Sequence, residues 1–166
     1  RLVLTRKPAM PDNTDPLDDA DRRILRLLQA EPDLSLREIA ERTGLSHSPV
    51  WRRLARLRSE RIVEERRFII DPARIGYDVT AFCAVRMNGH SRAHLEAFEE
   101  AAGRVEEVIQ CHSISGDHDY MLQVIARSIA HYERTVKTRL LALPHVQAIS
   151  TSFALRQVKN TTAVPL

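Results

Sequence analysis

Residues 35–57, SLREIAERTGLSHSPVWRRLARL, restrict the fold of this chain more than any other stretch. Ser35 followed by Glu38 is a capping box, in which each side chain satisfies a backbone N–H at the start of a helix. Ile39 and Ala40 then face inward, and the small Ala40 lets a neighbouring helix approach closely. Gly44 stands where that helix must stop, because a left-handed backbone costs glycine little. Leu45 is placed to plug the corner and Ser46 to cap the next helix. Pro49 is tolerated in the first turn of that helix, whose N–H groups lack intrahelical partners. Val50, Leu54 and Leu57 recur at i, i+4 and i+7 as one buried stripe. Two helices joined by a glycine corner, the second with a polar outward side, make a helix-turn-helix, whose second helix enters the DNA major groove.

Helical hairpins with glycine corners also occur in proteins that never meet DNA, and an arginine-rich face is often only a solvated one. The charge pattern favours DNA. Residues 46–61 carry Arg52, Arg53, Arg56, Arg58 and Arg61 against the single acid Glu60, whereas the chain as a whole has a net charge of only +3. Positive charge gathered on the second helix is what contact with phosphates requires. Ser46, His47, Ser48, Trp51, Arg52, Arg53 and Arg56 are therefore the candidate DNA-contacting residues. Trp51 suits a partly buried packing role equally well.

Ahead of this segment, Pro8, Pro11 and Pro16 mark residues 1–16 as an extended tail, in which Met10 is a candidate initiator. A first helix is expected over residues 18–30, with Asp18 as N-cap, Asp19 and Asp21 in its positive first turn, and Ile24, Leu25, Leu27 and Leu28 inward. It completes a trihelical core. After Ser59 the chain turns extended through Ile62, Val63, Phe68, Ile69 and Ile70, a hinge strand between two domains. Beyond it the pattern predicts strand 79–87, helix 92–102, strand 105–115, a tight turn at Gly116-Asp117-His118-Asp119, strand 120–126, a helix from Ser128 to about Leu143, and strand 146–158. The order βαββαβ is ferredoxin-like, an antiparallel sheet with two helices on one face. Phe82, Ala84, Ile109, Cys111, Leu122, Val124, Thr151 and Phe153 supply residues to the bare face. Exposed apolar sheet surface marks an interaction site, so a homodimer of stacked sheets is expected, which suits a reader of two half-sites.

Cys83 and Cys111 form neither a disulfide framework nor a CxxC pair, and fit small buried residues in a reducing compartment. With no apolar run long enough for a membrane span and no secretory leader, the expected place is the cytoplasm, without a membrane partner. His112, His118, Asp117 and Asp119 lie close in sequence, but no activated nucleophile, phosphate loop or metal-spaced set accompanies them. His90 and His94, four apart, lack a third ligand. The expectation is a protein that is not an enzyme, with no metal and no cofactor.

Leu17-Asp18, Asp21, Ile24-Leu25, Gly44-Leu45-Ser46, Arg53-Leu54 and Arg56-Leu57 in the first half resemble the leucine-responsive and asparagine-responsive (Lrp/AsnC, feast/famine) regulator family. So do Cys111-His112, Ser115-Gly116-Asp117-His118-Asp119-Tyr120, Leu143-Pro144 and Val158-Lys159 in the second, the likeness running from Leu17 to Lys159. The resemblance implies an α+β chain. It has a tail (1–16), a winged helix-turn-helix DNA-binding domain (17–60), a β-strand hinge and linker (61–77), a ferredoxin-like effector-binding and oligomerisation domain (78–159) and a tail (160–166). It implies a transcription regulator that binds double-stranded DNA, often bent, as a homodimer assembling to an octamer. It also implies a small effector, most often an amino acid, at Ser113, Ser115, Gly116, Asp117, His118, Asp119 and Tyr120. There Asp117 and Asp119 would accept from the effector ammonium, and backbone N–H groups near Gly116 would receive its carboxylate. A plain hairpin turn uses the same residue types. Two departures stand out: Ser46-His47 where relatives often have Ser-Pro, and His145 where Gly often follows Leu-Pro. An effector-independent architectural DNA protein, and a small enzyme acting on an amino acid, stay open as alternatives.

Overall fold

The structure, a computed structural model, describes residues 17–64 and 68–166. Their contacts fall into two compact units, one of residues 17–69 with Asn160–Leu166, the other Ile70–Lys159. The expected tail over residues 1–16 lies outside the described residues.

The first unit is helical. Helix α1 (Asp19–Ala30) opens on a capping box in which the Asp18 side chain accepts from the Asp21 backbone and the Asp21 side chain accepts from the Asp18 backbone. Helix α2 (Leu36–Thr43) opens on the Ser35–Glu38 box and stops at Gly44, whose φ of +68° is the left-handed turn that glycine permits. Helix α3 (His47–Ser59) starts after Ser46, which has the extended backbone of an N-cap but makes no side-chain capping bond. Ile24, Leu34, Ile39, Ala40, Val50 and Leu54 close the core between the helices, with Leu45 packed against them from the corner. At the far end of α3, Arg61 takes φ +56° where a glycine is usual, and the N–H groups of Arg61 and Ile62 close onto the carbonyls of Arg58 and Leu57. On α1, Gln29 both donates to and accepts from the backbone of Val164.

The hinge strand is a correction. Residues 62–64 and 68–70 form no strand, residues 65–67 lie outside the described residues, and the next local structure is a 3-10 turn at Ala73–Ile75. A strand needs a laddered neighbour, and every ladder among the described residues joins the four strands named next.

The second unit is a sheet under two helices: β1 (Val79–Met87), α4 (Arg92–Ala102), β2 (Val108–Ser113), β3 (Tyr120–Ala126), α5 (Ile129–Thr135, continued by a π-helical turn at Val136–Leu140) and β4 (Val146–Phe153). The order β2-β3-β1-β4 with antiparallel pairs is the ferredoxin-like arrangement expected from βαββαβ. β2 and β4 are shorter than the sequence pattern suggests. Ala81, Cys83, Val85 and Met87 of β1 and Tyr120, Leu122, Val124 and Ala126 of β3 point under the helices, meeting Phe98, Ala102, Tyr132 and Leu140.

The bare face therefore differs from the expected list. Leu122 and Val124 are fully buried under the helices, and Phe153 stacks edge-on against Tyr132 on that same side. Phe82 and Ala84 do alternate onto the open face, where the register sets Gln123 and Met121 opposite them on β3 and Ser152 and Ser150 on β4. Period-two alternation divides a strand into two sets but leaves the helix packing to choose which set is inside. No helix among the described residues is long and apolar enough to cross a membrane.

Candidate nucleic-acid interface and effector turn

On α3, Val50, Leu54 and Leu57 are buried, so at about 100° per residue the opposite stripe carries Ser48, Arg52, Ala55 and Ser59. Ser46, His47, Ser48, Trp51 and Arg52 are all exposed. Trp51 is 60 % exposed and borders a shallow cleft of about 390 Å³ that Leu28, Leu34, Leu36 and Arg58 also line. It thus combines packing with an open edge.

Arg53 and Arg56 are placed differently from the other candidates. The Arg53 Nη1 donates to Asp18 Oδ2 at 2.6 Å and to Asp21 Oδ1 at 2.9 Å. The Arg56 Nη2 donates to Asp21 Oδ2 at 2.5 Å, and its Nη1 to Glu60 at 3.1 Å. Both guanidinium groups are drawn to the α1 flank. Asp21 and then Asp18 hold the Arg53 pKa above its ordinary value. Asp21, read from sequence only as a favourable first-turn charge, is a buried anchor instead.

The expected effector residues sit around the β2–β3 turn of the other unit. Ser113, Ser115, Gly116 and Asp117 are exposed, and Gly116 has φ +117° with nothing within 4 Å of where a Cβ would stand. Asp119 faces back into its own fold. Its Oδ2 accepts from the Met87 N–H at 2.7 Å, and its Oδ1 is 2.7 Å from His90 Nε2. Its backbone N–H donates to Val85 and its carbonyl accepts from Ile114. The Met87 N–H, then His90 and the nearby Arg86 charge, hold the Asp119 carboxyl below the usual carboxylate range. Tyr120 is turned fully inward, its hydroxyl donating to Glu99 Oε1 at 2.8 Å and its ring against Phe98. Burial, reinforced by Glu99, pushes that hydroxyl well above its ordinary value.

Arg86 was not among the expected residues. It lies one position past Val85, the last β1 residue paired with β3, and its Nε and Nη2 donate to the Asp117 carbonyl at 3.3 and 3.2 Å. A lone arginine in the outward set of β1, one residue before the strand ends at Met87, was the available clue. His90, noted only for its spacing from His94, contacts Asp119. His94 instead stacks on His145 with ring centroids 3.7 Å apart. His145 has φ +60°, a left-handed conformation that glycine adopts without strain. No group of three or more His, Cys, Asp or Glu among the described residues could hold a metal.

With this geometry in view, known proteins match both halves of the chain. Residues 17–64 match a winged helix-turn-helix DNA-binding family and residues 80–164 match the Lrp/AsnC ligand binding domain. The glutamate uptake regulatory protein of Zymomonas mobilis is 34 % identical over 150 residues, 90 % of this chain and 91 % of that one. A solved AsnC family transcriptional regulator from Agrobacterium tumefaciens superposes with a TM-score of 0.83 at 34 % identity, covering 90 % of this chain and 97 % of that one. A transcriptional regulator from Neisseria meningitidis, solved as a complex with L-Met, gives 0.82 at 32 % identity over 90 % of this chain and 96 % of that one.

Proposed function

Because the chain belongs to the Lrp/AsnC family of DNA-binding transcription regulators, we propose that it regulates transcription in the cytoplasm in response to a free amino acid held at the β2–β3 turn. DNA is met by the outward side of α3, through Ser46, His47, Ser48, Trp51 and Arg52. The observation that carries the effector reading is the way β1 pins the turn, with Arg86 on the Asp117 carbonyl and Asp119 on Met87 N–H. That leaves the Asp117 carboxylate and the space over Gly116 facing outward.

The chemistry suits both ends of an amino acid. Asp117 accepts from the ammonium, while the remaining Arg86 N–H donors and the backbone at Gly116 receive the carboxylate, with Ser113, Ser115 and His118 at the rim. Asp119 and Tyr120 act behind the site by holding its shape. The relative solved with L-Met supports an amino acid as the ligand class. A homodimer covers the open face around Phe82 and Ala84, and dimers assemble further, toward an octamer. Light scattering on the eluted protein measures that assembly.

The test of the effector is a thermal-shift panel of the amino acids at millimolar concentration. A ligand bound only by the folded chain stabilises it by about 2.7 kcal/mol at a hundredfold excess over Kd. A shift confined to one chemical group of amino acids supports the reading. No shift with any of them refutes it and favours an architectural DNA protein. Consumption of the amino acid that shifts it would make the chain an enzyme.

A further inference from the structure

Asp21 is only 1 % exposed, and its carboxylate takes three donors: the Asp18 N–H, Arg53 Nη1 and Arg56 Nη2. The first fixes the start of α1, and the other two reach across from α3, 32 and 35 residues away. A buried carboxylate so satisfied is tolerated, whereas a cation removed from it leaves a stranded charge. The two arginines lie three apart on the α1 flank of α3, while Arg52 lies nearly opposite the Val50, Leu54 and Leu57 stripe. Fixing two points on one flank fixes the roll of the helix about its own axis.

We infer that Asp21 is a positioning residue for DNA reading. It sets the roll of α3 through Arg53 and Arg56 and withholds both guanidinium groups from DNA phosphates, leaving Arg52 as the arginine of the outward stripe. Two of the arginines that make the helix look so basic thus serve the frame. The inference rests on α3 being the helix that meets DNA.

The test is the salt dependence of binding by the full chain to a mixed-sequence duplex, between about 50 and 200 mM salt. Arg52→Gln lowers the slope of log K against log salt by about 0.9 per bound protomer, one phosphate contact. Arg53→Gln and Arg56→Gln keep the wild-type slope while lowering Tm. Asp21→Asn, which keeps the shape of the side chain, removes the partner the two arginines share, leaving Arg53 on Asp18 and Arg56 on Glu60, and so loosened they steepen the slope by up to about 1.8. A purely structural Asp21 would lower Tm and leave the slope alone. A slope lowered in Arg53→Gln or Arg56→Gln as it is in Arg52→Gln overturns the inference, as does an unchanged slope in folded Asp21→Asn. If Asp21→Asn does not fold, the two arginine variants decide by themselves. Wild-type binding in all three arginine variants shows instead that α3 is not the reading helix, and the inference falls with that reading.

Discussion

Replacing Asp119 by alanine removes the latch between the β2–β3 turn and the end of β1. Two contacts are lost, the Met87 N–H bond at 2.7 Å and the His90 contact at 2.7 Å. The first dominates: a hydrogen bond to a charged acceptor contributes about 1.5–3 kcal/mol. The Asp119 side chain is 22 % exposed, which argues for the middle of that range. His90 is two-thirds exposed, so its contact adds under about 1 kcal/mol. The expected local destabilisation is about 2 kcal/mol, less than the 5–15 kcal/mol typical of a folded domain, so the chain stays folded. Amide exchange reads this directly: the Met87 N–H of Asp119→Ala should exchange about thirtyfold faster than in wild type. The effector response should vanish because the turn loses its shape.

The pH dependence follows from the same contacts. Asp119 is held below the ordinary carboxylate range in the folded chain. Its contribution is therefore fully present above the unfolded pKa of about 4 and is lost as pH falls through the lower folded value. The stability gap between wild type and Asp119→Asn should narrow under acid. A Met87 amide that exchanges at the wild-type rate in Asp119→Ala, or a gap that stays constant below about pH 4, would refute the latch.

Three other outcomes follow from local geometry. Tyr120→Phe loses the bond to Glu99 and should lower stability by about 1 kcal/mol in chemical denaturation. Because folded Tyr120 keeps its proton above the ordinary range, wild type should lose stability above about pH 10 more steeply than Tyr120→Phe. Ser35→Ala removes the reciprocal cap of α2 and should cost about 1 kcal/mol, read as a lowered midpoint of the Trp51 fluorescence transition. His145→Val places a β-branched residue at φ +60° and breaks the His94 stack, for a loss of about 2 kcal/mol, while His145→Asn, which loses the stack but suits the left-handed backbone, loses about half as much.

What the sequence disclosed follows the range of the interaction. The Ser35–Glu38 box, the Gly44 corner and the Val50, Leu54, Leu57 stripe are set within a few residues, and each is found where the spacing puts it. The βαββαβ order is legible because strand and helix periods alternate along the chain. Asp21 was not legible as an anchor, since its partners on α3 are more than thirty residues away and an acid in a first turn already has a local reason to be there. Asp119 hid for a similar reason, because turns favour aspartate with or without a task. The inner side of the sheet was misjudged at Leu122 and Val124, where only the seat of α4 and α5 distinguishes the two alternating sets. The irregular register between Val108 and Gln110 adds a break that no alternation announces.

Helix α3 divides its duties by azimuth: one side is packed, one flank is tied to Asp21, and the opposite stripe, at Ser48, Arg52, Ala55 and Ser59, is exposed. Substitutions at such open surface positions usually change stability by less than about 0.5 kcal/mol. If this stripe meets DNA as proposed, its residues can change while the frame that holds the helix stays still. On that reading, new binding-site preferences are open by single steps that leave the fold intact.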